Sequence, residues 1–552
     1  MASPTPREVE MQFNQQHWVR ALFAASVMIA AGCGGPSKPG DACDVKNDTC
    51  PDPLVCGALS SSSDVCLIPA GEACDPKAEN PYCLDGGTCE DDGKGGGVCF
   101  RHIAEGGVCD PANAKYEVCD DGLTCAEVAA GGHKCYPPVL LHGKVFDATT
   151  SAAIEGADVL ALDEVATAVS DIATTDAAGA YDLEIPVPRD DKGAPVATKS
   201  FTLRADAQDY QTFPGGLRTA LPISSGEAQL VDKKYVIETA LTDVALITLP
   251  ADQKGLAGIS GHVVAGDASG GVLVVAEAGG KGHSAISDKS GAYHIFNVPD
   301  GSYSVAGYAA GVQLSPKTAA VMGADLTGVD LAKSDAALGT ISGKLEIVNP
   351  GDGDATSVVL VVESTFNDTF VRGEVPRGLR TPLSGPPTVT GNFTIEDVPA
   401  GKYVVLAAFE NDNLVRDPDE NISGTQIVHQ EMASPGTAVT IASAFKITGA
   451  LTVFGPGADQ PEGVTSAPTL TWADDSSEDF YKVFVYNAYG DVVWKNENVP
   501  GQSGNAMVSV PYGGPLDKGM YYQFRATSWR QKPNSTSAIS ATEDLRGVFF
   551  VK

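Results

Sequence analysis

The chain is poor in positive charge and in aromatic residues. Its 552 residues carry 37 Lys and Arg against 70 Asp and Glu, a formal net charge of −33, and only 7% of them are aromatic. Because an excess of carboxylates repels phosphates, nucleic acid is disfavoured as a partner. Such a charge suits a well-solvated surface outside the cytoplasm. The hydrophobic fraction of 43% is nevertheless that of a folded chain.

Long helical periodicity and catalytic signatures are also missing. The sequence contains no Gly-x-Ser-x-Gly elbow, phosphate-binding loop or His-Glu-x-x-His motif. Its eight histidines are scattered without the spacing of partner groups. His262 and His294 fall in strand patterns, where solvent-facing positions explain them. We therefore expect a protein that is not an enzyme and that needs no cofactor.

Two acidic stretches are the candidates for a metal. The stretch ENDNLVRDPDEN, residues 410–421, places Asp417 and Asp419 close together, and a second stretch, GDGD, begins at Gly351. Calcium takes about six to eight oxygen ligands arranged by a loop, and neither stretch has the EF-hand spacing. The alternative is a solvated turn in an acidic protein. Asp417 and Asp419 are the candidate calcium ligands.

Near the N-terminus a short apolar run ends at a cysteine. Residues 21–31 are predominantly apolar, follow Arg20 and lie just before Cys33. The run is shorter than the about 20 apolar residues of a membrane-spanning helix and has the length of a signal-peptide core. Small residues directly before a cysteine resemble the lipobox of bacterial lipoproteins, in which that cysteine takes diacylglycerol and becomes the mature N-terminus. The resemblance implies a signal peptide over 1–32, a lipid on Cys33 and a tether over 33–40.

Two questions stay open in this leader. Ala30 stands where the lipobox usually has Leu, and an ordinary secretory signal would leave Cys33 for a disulfide. Met11 is an alternative start that places Arg20 as the charge beside the apolar run. With lipidation, we expect an exported protein that is anchored to the cell membrane or the outer membrane of a bacterium and faces outside the cytoplasm.

The other twelve cysteines form a repeat of three four-cysteine units within residues 41–138. Five residues separate the second and third cysteines of every unit, and nine separate the third and fourth. A glycine lies three residues before the first cysteine of each unit, and an aspartate follows that cysteine. The units are Cys43, Cys50, Cys56 and Cys66; Cys74, Cys83, Cys89 and Cys99; and Cys109, Cys119, Cys125 and Cys135.

These units contain too few large apolar side chains to fold by burial alone. Disulfides, worth about 2–4 kcal/mol each, would stabilise them in an oxidising compartment. Zinc is the alternative, but zinc sites usually use close pairs such as C-x2-C, which the units lack. We expect each unit to close on itself, and we favour first-to-third with second-to-fourth pairing among the connectivities that four cysteines allow. The pattern resembles small cysteine-rich repeats of extracellular proteins, including Dickkopf-type modules.

A second repeat begins near residue 139, where short alternating apolar runs replace the cysteines. Its units open with LHGKVFD, ISGHVVA and ISGKLEI and continue with GADVLAL, GGVLVVAEA and SVVLVVES. An Asp-x-x-Gly turn follows in the first two units, where Gly179 and Gly291 are expected to take positive φ. Val-Pro-x-Gly, with Gly301 or Gly401, then turns the second and third units into their next strand.

These motifs resemble the carboxypeptidase regulatory-like domain, a seven-stranded transthyretin-like β-sandwich without catalytic residues. The resemblance implies three such sandwiches, over 139–250, 256–336 and 337–446. The first departs from the pattern by the insertion RDDKGAPVATKS after Pro188. Since relatives of this fold include carbohydrate-binding modules, the resemblance also allows glycan binding.

The segment 447–552 has a different pattern. Trp472 lies in LTW, the stretch YKVFVY alternates as a strand does, and Tyr522 comes late in the segment. This spacing resembles a fibronectin type III domain, whose core contains a Trp and whose late Tyr makes a tyrosine corner. The resemblance implies these roles for Trp472 and Tyr522. Trp494 and Trp529 are expected to be packed or half-buried, with exposed binding aromatics as the alternative.

The sequence therefore predicts an all-β protein. Tandem β-sandwiches, transthyretin-like and then immunoglobulin- or fibronectin-like, follow disulfide-rich modules and a signal helix. The expected function is that of a non-catalytic, lipid-anchored bacterial surface protein, a modular stalk or an adhesion and display component. The alternatives are a carbohydrate-binding surface protein and a protease inhibitor or enzyme accessory acting through the cysteine modules. Expected partners are the membrane, through the lipid, and a glycan or another surface protein.

Overall fold

The computed structural model describes most of the chain after the leader. The described residues are 38–47, 49–60, 63–91, 96–348, 350, 353–407, 413–416, 427–502 and 507–552. The predictions for Cys33, Asp417 and Asp419 therefore concern residues outside this part of the chain. The chain divides into two compact units, of which one includes residues up to His102 with Asn113–Val118 and the other Ile103–Ala112 with Cys119–Lys552.

The fold is all-β, as predicted. Within the described ranges the regular structure consists of strands and short 3-10 turns, and it includes no α-helix. A search of these residues finds no helix with the length and apolar character to cross a membrane. The 3-10 turns are Leu84–Gly86, Pro111–Asn113, Ser225–Glu227, Ala251–Gln253, Gly266–Ala268 and Glu363–Thr365.

Short hairpins carry the cysteines. The strands are β1 (Val55–Ser60), β2 (Ser63–Leu67), β3 (Ala73–Cys74), β4 (Thr88–Asp91), β5 (Gly97–Ile103), β6 (Glu117–Cys119), β7 (Thr124–Glu127) and β8 (His133–Tyr136). In the hairpins β1–β2, β4–β5 and β7–β8, the third cysteine of a unit lies directly opposite the fourth. The constant spacing of nine residues between these two cysteines is therefore the length of a hairpin in fixed register.

The first sandwich follows the cysteine modules. Its strands are β9 (Val139–Asp147), β10 (Asp158–Leu162), β11 (Ala173–Thr174), β12 (Ala180–Ile185), β13 (Ser200–Asp206), β14 (Ile223–Ser224), β15 (Gln229–Val231), β16 (Lys234–Ile237) and β17 (Val244–Leu246). One sheet has the order β11-β10-β13-β14, and the other has β12-β9-β16-β15 with β17 also on β9. The facing sides of the two sheets enclose an apolar core.

The second and third sandwiches repeat this plan. The second has β18 (Ala257–Val264), β19 (Leu273–Ala278), β20 (Lys281–Ile286), β21 (Ala292–Val298), β22 (Gly301–Tyr308), β23 (Lys317–Val321) and β24 (Leu331–Ala332). The third has β25 (Gly339–Val348), β26 (Val358–Val362), β27 (Arg380–Thr381), β28 (Asn392–Val398), β29 (Gly401–Ala407), β30 (Leu414–Arg416), β31 (Val428–Met432), β32 (Ala438–Thr440) and β33 (Phe445–Gly449). Their sheets run β21-β18-β24 and β20-β19-β22-β23, then β28-β25-β33-β30, with β32 on β25, and β27-β26-β29-β31.

The fourth sandwich has a different strand order. Its strands are β34 (Val453–Gly455), β35 (Glu462–Val464), β36 (Thr469–Ala473), β37 (Phe480–Asn487), β38 (Val492–Pro500), β39 (Met507–Pro511), β40 (Tyr521–Lys532), β41 (Ser535–Ala541) and β42 (Val548–Val551). The sheets run β34-β36-β39 and β35-β42-β40-β37-β38, with β41 on β40. Trp472 is fully buried in the core, and the Tyr522 hydroxyl accepts a hydrogen bond from the backbone N–H of Asp517 at 2.9 Å. A tyrosine corner has this geometry.

A glycine in the opening strand of each repeated sandwich faces an aromatic ring on the neighbouring strand. These cross-strand pairs are Gly143 with Tyr181, Gly261 with Tyr293 and Gly343 with Phe393. A side chain at Gly143 would lie 2.8 Å from the Tyr181 hydroxyl, and one at Gly343 would lie 2.7 Å from the Phe393 ring. At Gly143 and Gly261 the nearest atoms to an added side chain are the backbone carbonyl oxygens of Thr242 and Val329, which accept the hydroxyls of Tyr181 and Tyr293. The aromatic residue thus holds a backbone segment, or in the third sandwich its own ring, against the glycine, where a side chain would not fit.

One strand of each repeated sandwich is buried on both faces. In β10, Val159 points into the core of its sandwich, while Leu160 and Leu162 point outward and pack near Ile286 of the second sandwich. In β19, Leu273 and Val275 point outward and join the core of the third sandwich. All five residues of β26 are buried. Strands covered on both faces form unbroken apolar runs. In β10 and β19 the outer face packs on the next sandwich, whereas the outer face of β26 packs on residues of its own sandwich.

Candidate functional site

All twelve cysteines after the leader are joined in six disulfides. The pairs are Cys43–Cys56, Cys50–Cys66, Cys74–Cys89, Cys83–Cys99, Cys109–Cys125 and Cys119–Cys135. Their Cα separations run from 5.5 to 6.0 Å, within the usual range. Each unit is closed by two crossed bridges, and the bridges stay within their units.

The repeated glycine and aspartate of each cysteine unit form its turn. Gly40, Gly71 and Gly106 have φ of 86°, 91° and 77°, and each donates its N–H to the carbonyl of the fourth cysteine of its own unit at 2.8–2.9 Å. The carboxylate of the aspartate accepts the N–H two residues further on in all three units, at 2.9–3.0 Å. These residues fix the turn because glycine tolerates positive φ and aspartate caps its own backbone.

Neighbouring modules also touch through a tyrosine. The Tyr82 ring of the second module lies where a side chain on Gly40 would stand, 2.6 Å from its Cβ. Tyr116 of the third unit covers Gly71 of the second in the same way, at 2.9 Å. The modules are therefore bridged separately but packed together, and the small residue serves both the turn and the contact.

The insertion in the first sandwich holds the end of the third cysteine module. The backbone N–H of Arg189 donates to the carbonyl of Glu127, and the N–H of Ala129 donates to the carbonyl of Arg189, both at 2.8 Å. The Tyr136 ring covers Gly193, where a side chain would approach it to 2.6 Å. The insertion RDDKGAPVATKS thus provides a docking surface for the third cysteine module.

Few residues could hold a metal ion. In the described parts of the chain, groups of three potential ligands occur only among the module cysteines, whose sulfurs are already bonded in pairs. The pairs form disulfides, the arrangement that the spacing favoured over zinc.

The Asp-x-x-Gly turns of the first two sandwiches are held by their own aspartates. Gly179 and Gly291 have φ of 73° and 94°. The carboxylate of Asp176 accepts the N–H groups of the second and fourth residues after it at 2.8 and 2.9 Å, and Asp288 does the same at 2.9 Å in both cases. Here positive φ is required, which favours glycine.

Gly301 and Gly401 have another role. Each opens a strand, β22 or β29, outside the left-handed region of φ. Two residues later, the hydroxyls of Tyr303 and Tyr403 donate back to proline carbonyls at 2.8 and 2.9 Å. A side chain on Gly301 would lie 3.3 Å from the Tyr303 ring, whereas one on Gly401 would lie 2.6 Å from the ring of Tyr308 in the second sandwich. Close approach, rather than φ, requires these glycines.

A buried arginine joins three sandwiches. The Arg204 guanidinium of the first sandwich bonds to Asp206 at 2.9 Å and to Glu374 of the third at 3.0 Å, and its side chain is only 3% exposed. Ser284 of the second sandwich donates to the same Glu374 oxygen at 2.9 Å. We call Arg204, Asp206, Ser284 and Glu374 the junction cluster.

The two carboxylates of the junction cluster keep the Arg204 guanidinium charged. Burial alone would lower the pKa of Arg204, but the carboxylates of Asp206 and Glu374 outweigh that effect and raise the pKa. The guanidinium therefore stays charged, and its removal would leave the partly buried carboxylates of Asp206 and Glu374, 13% and 28% exposed, without a counter-ion.

The contacts between successive sandwiches repeat as well. The residue before Val-Pro in the second sandwich, Asn297, accepts the N–H of Asp209 in the first at 2.7 Å. The equivalent residue of the third sandwich, Asp397, accepts the N–H of Gly311 in the second at 3.0 Å through its carbonyl. Both Asn297 and Asp397 have positive φ, 57° and 55°. The same irregular position thus meets the preceding sandwich at both junctions.

His294 belongs to one of these junctions. The solvent-facing position expected from its strand pattern is wrong, because its ring is half-buried and its Nδ1 lies 3.0 Å from Asp158 of the first sandwich. His262 is exposed, as expected.

The fourth sandwich contacts the first and the third. The Tyr489 hydroxyl donates to the carbonyl of Thr248 in the first at 3.0 Å. Leu217, Phe370 and Val548, from the first, third and fourth sandwiches, form one buried cluster. The repeated and the unrelated sandwiches therefore belong to a single packed body.

The other two tryptophans of the fourth sandwich are half-buried. Trp494 packs edge-on against Tyr512 at 5.6 Å, and Trp529 stacks on Phe480 at 6.3 Å with the Lys482 ammonium 3.9 Å from its ring centre. Among the exposed large hydrophobic side chains in the described ranges, Phe454 is the one aromatic. The tryptophans thus serve packing first.

A cleft of about 870 Å³ with both polar and apolar walls lies between the second and third sandwiches. Glu277 stands in its wall, and Oε1 of that carboxylate accepts hydrogen bonds from the Tyr308 hydroxyl at 3.1 Å and from Ser364 at 2.7 Å. Burial and the neighbouring carboxylate raise the pKa of Tyr308, so its hydroxyl stays protonated and donates. We call this the Glu277 cleft. No sequence pattern predicts this cleft, because its walls come from two repeats.

Comparison with known proteins finds distant similarities only. No family model and no curated protein matches the chain. The TIE protein of Bacillus anthracis is 13% identical, over 80% of this chain and 76% of that one, with a TM-score of 0.14. GBS52, a minor pilin of Streptococcus agalactiae, is 14% identical over 36% and 99%, with a TM-score of 0.16, and BcpA, the major pilin subunit of Bacillus cereus, is 9% identical over 56% and 99%, with a TM-score of 0.15. Similarities of this size establish neither a family nor a function for the chain.

Proposed function

We propose that the protein is an exported, lipid-anchored surface protein that displays a rigid body of β-sandwiches and performs no catalysis. The lipid is on Cys33, the modules form the segment that follows the tether, and the sandwiches carry the displayed surface. A membrane on one side and a ligand or another surface protein on the other are the partners.

The six disulfides are the observation that carries this proposal. Structural disulfides persist in oxidising compartments outside the cytoplasm, and every cysteine from Cys43 to Cys135 is bonded in one. Cys33 is the thirteenth cysteine and is left over from this set. Lipidation gives that odd cysteine a use, and the small residues before it suit lipoprotein processing.

The packed sandwiches support a role in display. Arg204 and the two-faced strands hold neighbouring sandwiches in fixed positions, so the surface that they present keeps one geometry. Binding through a preformed surface avoids the entropic cost of ordering it. A flexible chain of separate sandwiches would lack this advantage.

The test is membrane fractionation of cells that produce the Cys33→Ser protein. We expect the variant to lose labelling by radioactive palmitate, because residue 33 can no longer carry a lipid. It should also leave the membrane fraction, since stable anchoring needs more than one acyl chain and the variant would carry none. Ser37→Ala, in the tether, is the matched control and should stay membrane-bound. A Cys33→Ser protein that remains in the membrane fraction would refute the anchoring.

A further inference from the structure

We infer that the Glu277 cleft binds a lysine-bearing peptide segment, whose side-chain ammonium pairs with the Glu277 carboxylate. This inference does not depend on the lipid anchor, because it rests on residues of the second and third sandwiches alone.

Among the described residues, one oxygen of the Glu277 carboxylate accepts hydrogen bonds, and the other accepts none. Both of its hydrogen bonds, from Tyr308 and Ser364, fall on Oε1. In the described part of the chain Oε2 has no hydrogen-bond partner, and no Lys, Arg or His lies within ion-pair distance of Glu277. The two donors orient the carboxylate without neutralising it, so its charge is left for a ligand.

The number of open oxygens favours lysine over arginine. A guanidinium pairs best with both oxygens of a carboxylate at once, and Oε1 is already occupied by two donors. An ammonium is a compact point charge that needs only one oxygen. Oε2 therefore matches an alkylammonium group.

The remaining walls of the cleft agree with a cationic ligand. Glu363 and Glu431 line it together with Glu277, and Lys402 is the one cationic side chain in the lining. Oε1 of Glu363 lies 2.7 Å from Nδ1 of His429, so among the described residues Glu431 contributes the second unpaired carboxylate. The net charge of −33 on the whole chain adds a field that attracts cations toward the cleft.

The lining also favours a peptide over a sugar. It consists largely of serines and of exposed backbone at glycines and alanines, such as Gly279, Gly280 and Ser304, and its tyrosine, Tyr308, is 3% exposed. Sugar rings pack their flat C–H faces on accessible aromatic rings, which this lining does not offer. The end of the edge strand β31 borders the cleft, and edge strands offer main-chain groups to an extended peptide. A volume of about 870 Å³ suits a short segment.

The test is titration of the full-length protein, in detergent, with three acetylated and amidated peptides, Gly-Lys-Gly, Gly-Arg-Gly and Gly-(Nε-acetyl-Lys)-Gly. Binding is followed by calorimetry and by nuclear magnetic resonance of labelled peptide. We expect the lysine peptide to bind most tightly, and Glu277→Gln to weaken it by about tenfold or more, since a hydrogen bond to a charged group is worth about 1.5–3 kcal/mol.

Two controls separate this site from the general acidity of the protein. Glu346→Gln removes an exposed carboxylate of the third sandwich outside the cleft and should leave the affinity unchanged. Tyr308→Phe removes one of the donors that orient Glu277 and should weaken binding by a smaller factor than Glu277→Gln. Unfolding curves of all variants show whether the fold is intact.

Three results would overturn the inference. They are equal affinity for the lysine and acetyl-lysine peptides, equal affinity of the wild-type and Glu277→Gln proteins, and absence of binding up to millimolar peptide. Chitosan trisaccharide serves as a competing probe. Tighter binding of this amino sugar than of the lysine peptide would refute a peptide as the ligand.

Discussion

The cysteine modules and the sandwiches are stabilised in opposite ways. Each module is closed by its own two disulfides, and the buried clusters of the second and third modules consist mainly of cysteines, such as Cys83 and Cys99 with Ile68. The repeated sandwiches have cores of nearly twenty buried side chains each, and part of their outer surface is covered by a neighbour. Disulfides stabilise a short module without help from its neighbours. A strand with two apolar faces, in contrast, is stable only when other residues cover both faces.

The difference shows what repetition can achieve in each part. A duplicated cysteine module brings its own bridges, and its contacts with the next module include Tyr82 on Gly40 and a backbone hydrogen bond from the N–H of Arg101 to the carbonyl of Tyr116. A duplicated sandwich brings an apolar outer face as well, and in the first two copies the outer faces of β10 and β19 are covered by the next copy. Asn297 and Asp397 show that the covering contact was repeated together with the sandwich.

The largest expected effect comes from reducing the disulfides of the cysteine modules. Treatment with dithiothreitol should unfold the modules completely, because each bridge contributes about 2–5 kcal/mol to units with little core. The sandwiches contain no disulfide among their described residues and should stay folded. Limited proteolysis with mass spectrometry should then show new cleavage within 43–135 and protection after 139. Protection of the reduced modules would contradict this account.

The next largest effect comes from removing the buried arginine that joins the sandwiches. Arg204→Met removes the buried guanidinium and leaves the partly buried carboxylates of Asp206 and Glu374 without a counter-ion, so it should lower the free energy of unfolding by about 3–5 kcal/mol. Lys289→Met is the control, because Lys289 pairs with Asp171 across the first and second sandwiches but is exposed, and such pairs contribute about 0–1 kcal/mol. Denaturant unfolding measures both. Equal effects of the two variants would show that burial of the pair is unimportant.

Substitution of a turn glycine sharpens the comparison within one sandwich. Gly291→Val forces a β-branched residue to φ of 94° and drives its Cβ into the carbonyl of Val263, so we expect a loss of about 2–4 kcal/mol. Gly266→Val is the matched control, since Gly266 has φ of 63° with open space around it and should lose only about 1–2 kcal/mol. Thermal unfolding distinguishes the two. The turn would be misassigned if the control lost more.

The smallest expected effect depends on pH. Burial raises the pKa of Asp147, but hydrogen bonds from Thr150 and Thr149 and from the Tyr210 hydroxyl outweigh it and lower the pKa. A lowered pKa in the folded state stabilises the protein above the unfolded value of about 3.9, and this stability is lost as the pH falls through the folded value.

Asp147→Asn should therefore be less stable by about 1 kcal/mol at pH 7, and the difference from the wild type should shrink below about pH 4. Urea unfolding between pH 2.5 and pH 7 measures it. A difference that stays constant over this range would exclude the linkage.

The local rules of the fold could be predicted from the sequence. The cysteine bridges and the Asp-x-x-Gly turns depend on residues that are close in the chain. The short motif around Trp472 likewise predicts that this side chain lies in the core of the fourth sandwich. Glycine, aspartate and cysteine have few conformational and bonding options, so their patterns are specific.

The junctions could not be predicted in the same way. Arg204 and Glu374 are 170 residues apart, and nothing in their neighbouring sequence indicates that they meet. The Glu277 cleft has the same difficulty, because its walls come from two sandwiches. One signal was present: the unbroken apolar runs of β10 and β19 indicate burial on both faces, and in both strands the outer face packs on the next sandwich. The equally apolar run of β26 is covered by its own sandwich, so such a run does not by itself identify a junction.

Calorimetry of the full chain in dithiothreitol tests the central claim, that the sandwiches form one body, most directly. Once the modules are reduced, the account predicts a single heat-absorption peak for residues 139–552, with a calorimetric enthalpy equal to the van't Hoff enthalpy. Two or more separate peaks from the wild-type chain would contradict it, because they would mean that the sandwiches melt independently.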